Sequence, residues 1–153
     1  MHFIRRSRTH SLQLVTALAL LVVAPECLAA LGGDASALAT QQNLLATPIT
    51  VTRTKLFSVH ALTTSSGVHI RQYADASGLV FAVAWDGPVL PDLEALLGAS
   101  FGAYQDGQRQ RARGVHILTP ALVVESTGMM RAFVGKALLP ERLPENVSAR
   151  DIQ

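Results

Sequence analysis

The chain has 153 residues, 49% of them apolar and 16% charged, which suits one folded domain and excludes both a disordered chain and a multispanning membrane protein. Its formal charge of +2 does not describe the folded part. Arg5, Arg6, Arg8 and Glu26 all lie in the first 29 residues, and without them 10 basic and 10 acidic residues remain. Such a neutral balance argues against a nucleic-acid partner, which would require a basic face.

Met1 to Ser11 holds three arginines and no acid, and an apolar stretch then runs from Leu12 to Ala24. Pro25 and Glu26 break it, and small residues follow at Cys27, Ala29 and Ala30. This is the order of a cleavable secretory signal over residues 1–29. The apolar stretch is shorter than the roughly 20 residues that a spanning helix needs. Export to the periplasm or beyond the cell is therefore expected, with no membrane span after cleavage. Cys27, the lone cysteine, falls in the signal, so residues 30–153 must fold through an ordinary core without disulfides.

Leu31-Gly32-Gly33 reads as a flexible start, and Asp34 as the cap of a helix to about Leu45. From Ile49 the periodicity becomes that of strands: Ile49 to Arg53, Phe57 to Thr64, Val68 to Ala74 and Leu79 to Trp85. Ser65-Ser66-Gly67 and Asp75 to Gly78 separate the last three as turns of a meander. After Asp86-Gly87-Pro88, a helix is expected from Pro91 to Gln105, opened by Asp92 and Glu94. Gln105 to Gly114 reads as a polar loop. Strands at Val115 to Thr119, Ala121 to Ser126 and Met129 to Leu138 follow, with a turn at Thr127-Gly128 and an extended tail from Pro140 to Gln153. The expected fold class is α+β, an antiparallel meander packed against one or two helices, with a second hairpin after them.

Several stretches carry a family likeness. They are Ala30-Leu31-Gly32-Gly33, Gly78 to Trp85 with Gly87-Pro88, Pro91-Asp92-Leu93, Leu96-Leu97-Gly98, Leu122-Val123-Val124 and Met130-Arg131-Ala132-Phe133. Through them the chain from Ala30 almost to its end resembles a family of small exported bacterial proteins known as domain of unknown function 2844. The resemblance implies export. It supplies no activity, ligand or catalytic residue.

A two-residue turn at Ser66-Gly67 would pair His60 with Tyr73, Leu62 with Arg71 and Thr64 with His69. If Ala74 then pairs with Leu79, the same face gains Val80, Ala82 and Ala84, while Val59, Ala61, Val68, Ile70, Phe81, Val83 and Trp85 form the core face. His60, His69, Arg71 and Tyr73 would rim a small-residue floor, a candidate binding face for an anionic or aromatic ligand. The competing reading is an ordinary solvated strand surface. The two histidines stand too far apart along the strands to share a zinc ion, and no metal or cofactor motif is present. Ser65, Ser66 and Ser77 sit in turns, with no nucleophile elbow. Asp86 and Asp92 read as turn-shaping and helix-start residues. Arg109, Arg111 and Arg113, if extended, would share one side as a candidate anion-binding loop. Glu125 and Arg131 point to opposite faces and make no ion pair.

The expected function is a non-enzymatic binding or interaction domain of the cell envelope, with an envelope protein or small anionic ligand as partner. The alternative is an enzyme with an unrecognised histidine and carboxylate site, His60 or His69 with Asp86. A third reading, an assembly subunit, would show an exposed edge strand.

Overall fold

The structure is a computed structural model and describes residues 30–36, 48–110 and 114–153. The signal expected at 1–29, most of the helix expected after Asp34, and Arg111 and Arg113 lie outside the described residues.

Seven strands form one antiparallel sheet: β1 (Ile49–Arg53), β2 (Ser58–Thr63), β3 (His69–Ala74), β4 (Val80–Gly87), β5 (Val115–Leu118), β6 (Val123–Met129) and β7 (Ala132–Leu138). Their order is β1-β2-β3-β4-β7-β6-β5. The first four are a meander, as expected. The second hairpin does not stand apart. The chain crosses from β4 to the far edge through the helices, enters at β5, and returns inward until β7 pairs with β4. The fold is mostly β with a helical layer.

The helix expected from Pro91 to Gln105 is interrupted. Asp92 caps α1 (Leu93–Leu97), accepting from the Ala95 amide at 3.0 Å. A 3₁₀ turn at Gly98–Ser100 then leads into α2 (Phe101–Gln110). The break sits where residue 30 passes: a Cβ on Gly98 would lie 2.7 Å from the Ala30 Cβ. The start of the domain is pinned there rather than flexible. Leu31 donates to the Leu96 carbonyl at 3.0 Å, and Gly32 and Gly33 exchange hydrogen bonds with Val80 at 2.8 and 2.9 Å.

Loop length decides which side chains share a face. The β2–β3 loop has three residues, Ser65-Ser66-Gly67, not two. Thr64 and Val68 still pair across it at 2.8 Å, the Thr64 hydroxyl accepts from the Val68 amide at 3.0 Å, and Gly67 sits at φ 80°. This is the usual three-residue construction with glycine in the left-handed position. The β3–β4 loop repeats it, with Asp75 paired to Leu79 and Gly78 at φ 91°. Adding one residue to a hairpin loop shifts the register by one and reverses which side chains meet. A β-bulge between β3 and β4 then adds a second shift: Ala74 pairs with Val80, but Tyr73 pairs with Ala82, leaving Phe81 extra.

As a result both faces of β4 are covered, and Val80 to Trp85 are all buried. One face carries Val68, Val83, Trp85, Val124 and Ala137 against Leu93, Leu96, Leu97 and Tyr104 of the helical layer. On the other, Tyr73, Phe81, Ala82, Ala84 and Leu138 pack against Leu143, Val147, Ala149 and Ile152. Phe81, expected on the helical side, turns to the second core through the bulge, while Val80 joins the first. The extended tail is therefore a strap, residues 139–153, that closes a core of its own.

Candidate functional site

The expected constellation of His60, His69, Arg71 and Tyr73 is divided by the register. His60 pairs with Gln72, Ala61 with Arg71, and Thr63 with His69. His69, Arg71 and Tyr73 lie on the strap face, opposite Asp86, Ala84 and Ala82 respectively. His60 lies on the helical face, one loop residue having moved it there.

The small-residue floor beside Arg71 and Tyr73 exists, and the strap occupies it. Ile152, 1% exposed, packs among Tyr73, Ala82 and Ala84. The Tyr73 hydroxyl donates to the Gln153 carbonyl at 2.8 Å and accepts from the Gln153 amide at 3.1 Å. Arg71 donates through Nε to the same carbonyl and pairs with Asp86 at 2.9 Å. Lys136, beside Arg71 across Ala84, donates to the Ala149 carbonyl at 3.0 Å. Main-chain oxygens of the strap thus take the cationic and phenolic donors that a bound ligand would use. Beyond Gln153 the same face opens into a hollow of about 440 Å³ whose polar lining includes His116, Glu125 and Lys136. Glu125 faces Lys136 at 3.7 Å and His116 at 4.0 Å. Its partner across β6 and β7 is Lys136, not Arg131.

His60 lines a larger cleft of about 680 Å³ together with Ser58, Arg53, Asp34 and Asp75. Its Nε2 stands 3.1 Å from the Ser58 Oγ, because residues two apart on a strand share a face. Desolvation, and secondarily the Arg53 charge, hold the His60 pKa below the usual histidine range. The two carboxylates in the cleft are engaged elsewhere. Burial pushes the Asp75 carboxyl up, but hydrogen bonds from the Ser77 hydroxyl and the Leu79, Ser77 and Gly78 amides outweigh it and hold the group below the carboxylate norm. Asp34 is lowered by the Ser36 amide and hydroxyl. His69 bonds to Thr63 at 2.9 Å on an exposed surface. Among the described residues, no group of three or more histidines or carboxylates is placed to hold a metal ion.

Arg109 is not in an extended loop. It belongs to the last turn of α2 and pairs with Asp106 at 3.0 Å. The helix runs five residues beyond its expected end, so the alternation of Arg109, Arg111 and Arg113 on one extended side is not realised at Arg109.

The sequence reading missed the tip of the β6–β7 hairpin. Met129 pairs with Ala132, which makes Met130-Arg131 the turn. Both have positive φ, 46° and 70°. The misleading signal was Gly128, read as a turn residue. It sits inside β6 because Phe133 lies over it: a Cβ there would stand 2.2 Å from the Phe133 Cδ1. Met129 is 76% exposed and Met130 94%, with Val134, Val89 and Leu90 also exposed at this end.

The profile of a family described as Protein of unknown function (DUF2844) matches residues 27–152. The chain belongs to the DUF2844 family. The match spans both cores, so the strap through Ile152 is part of the DUF2844 domain rather than an appendage. No curated protein and no solved structure matches the chain.

Proposed function

We propose that this DUF2844 protein is an exported, non-enzymatic binding or interaction domain of the cell envelope, and that the β6–β7 hairpin end is its contact surface. Export rests on the basic, apolar and small-residue order of residues 1–29. The observation that carries the contact surface is the turn itself. Two residues without glycine's freedom hold left-handed backbone, and one of them, Met130, projects an almost fully exposed apolar side chain. Strain and exposed apolar surface both cost stability, and together they mark a place kept for contact. The groove at Arg71 and Tyr73 supports intramolecular closure instead, since the strap fills it.

The test has two parts. N-terminal sequencing of protein from the producing cell should begin near Ala30; a start at Met1 in cytosolic material overturns export. A photo-crosslinking residue placed at Met130 should give a defined adduct in the envelope, and one at Thr52 on the outer strand should not. Equal labelling from both positions, or none from either, removes the hairpin as the contact surface.

The second reading, an enzyme, is favoured by the Ser58–His60 contact in the larger cleft. A fluorophosphonate that labels the intact protein at Ser58, and fails after His60→Gln, would support it. Absence of labelling removes a serine nucleophile.

A further inference from the structure

We infer that the β6–β7 hairpin end seats on an anionic lipid surface. This deepens the interaction reading above and depends on it. The apolar groups at this end are arranged for a soft, flat partner. Met129 and Val134 share the strap face of the hairpin, Phe133 is on the other face, and Met130 stands at the apex between them. Leu90 borders the hollow beside Phe133 and Gly128. A convex tip with apolar groups on both sides would need a deep, shaped pocket on a protein partner. The apolar margin of a bilayer accepts it without shape complementarity, and flexible methionines adapt to such a surface.

The charge is complementary. Arg131 is adjacent to Met130 in the turn and has no carboxylate partner among the described residues. Three nearby acids are engaged by other groups: Asp86 pairs with Arg71, Asp106 with Arg109, and Glu125 with Lys136. Gly114, where the chain re-enters the sheet from α2, stands against Thr127 at the same end. No described helix is long and apolar enough to cross a membrane, so contact would be at the surface. One small apolar tip binds lipid only marginally, and stable seating needs a second, electrostatic attraction. Binding should therefore require anionic lipid and weaken with salt.

The experiment is cosedimentation of the protein as exported, beginning near Ala30, with vesicles of phosphatidylcholine alone and of phosphatidylcholine mixed with phosphatidylglycerol. Binding to the anionic vesicles is expected, about tenfold weaker at about 1 M salt than at about 0.1 M, where the screening length is near 10 Å. Met130→Asp and Arg131→Glu should each cut it about tenfold, the equivalent of about 1.4 kcal/mol. Both positions lie in an exposed turn, and unchanged circular dichroism would show that the fold survives. Thr52→Asp is the control and should bind as the parent does. Equal binding to both vesicles, or binding untouched by Met130→Asp, overturns the inference. If vesicles are ignored while the crosslinker at Met130 captures a protein, the lipid surface is wrong and the interaction domain stands. If both fail, both readings fall.

Discussion

The Tyr73 hydroxyl closes a two-way hydrogen bond with Gln153, donating to its carbonyl and accepting from its amide across 80 residues of chain. That pair fastens the end of the strap to the centre of the sheet. Tyr73→Phe keeps the ring, which packs at 5.9 Å from Phe57 and 6.4 Å from Phe81, and removes both bonds. We expect a loss of about 1–2 kcal/mol in urea unfolding, the ordinary yield of two net hydrogen bonds. Hydrogen exchange at the Gln153 amide should accelerate. Ile152→Ala, which empties a buried site in the same core, should cost more, about 2–4 kcal/mol. An unchanged urea midpoint in both variants would mean that the strap is not part of the folded core.

Gly135 lies directly across from Trp85 on the helical face, and a Cβ on it would stand 2.3 Å from the Trp85 Cζ2. Gly135→Ala therefore forces the indole or the β4–β7 pairing to move, at a cost of about 1–3 kcal/mol. The fluorescence of Trp85, the chain's single tryptophan, should shift with it. Gly102→Ala is the contrasting case: the added methyl meets nothing within 4 Å. It should stabilise α2 by about 0.5–1 kcal/mol. Thermal melts of the two variants should move in opposite directions.

The left-handed pair Met130-Arg131 predicts a trade between stability and contact. Replacing it by Asn-Gly supplies the residues that this two-residue turn prefers. We expect a gain of about 1–2 kcal/mol from relieved backbone strain. Vesicle binding should fall in the same protein. A variant that is no more stable would show that the turn carries no strain.

His60 gives a pH dependence whose sign follows from its lowered pKa. Burial disfavours the imidazolium in the folded state, so the unfolded chain binds the proton more readily. The contribution is fully present above the ordinary value of 6.5 and is lost as pH falls through the lower folded value. Stability should decline on acidification from neutrality, and His60→Gln should flatten that decline. A parent protein whose stability is level across this range would place His60 in water.

The loops show where the sequence was legible and where it was not. Ser65-Ser66-Gly67 and Asp75 to Gly78 mark turns through composition, and the loops stand there. Whether a turn spans two residues or three is settled by the Thr64 hydroxyl reaching the Val68 amide and by which glycine takes positive φ. That choice moved His60 away from Tyr73. The bulge at Phe81 then returned Ala82 and Ala84 to Arg71 and Tyr73. Each step is one residue, and a period of two turns one residue into a change of face.

What the sequence determined by itself is local: a basic and then apolar order in residues 1–29, strands from β-rich alternation, a helix opening at Asp92, and a core side holding Val83 and Trp85. What the tertiary structure decided is long-range: β7 joining β4, the strap filling the groove beside Tyr73, and Gly128 and Gly135 making room for Phe133 and Trp85. Propensity and periodicity act between near neighbours along the chain. The strap's apolar residues, Leu143, Val147 and Ile152, have no local partner and acquire meaning only when the sheet presents the face that they cover.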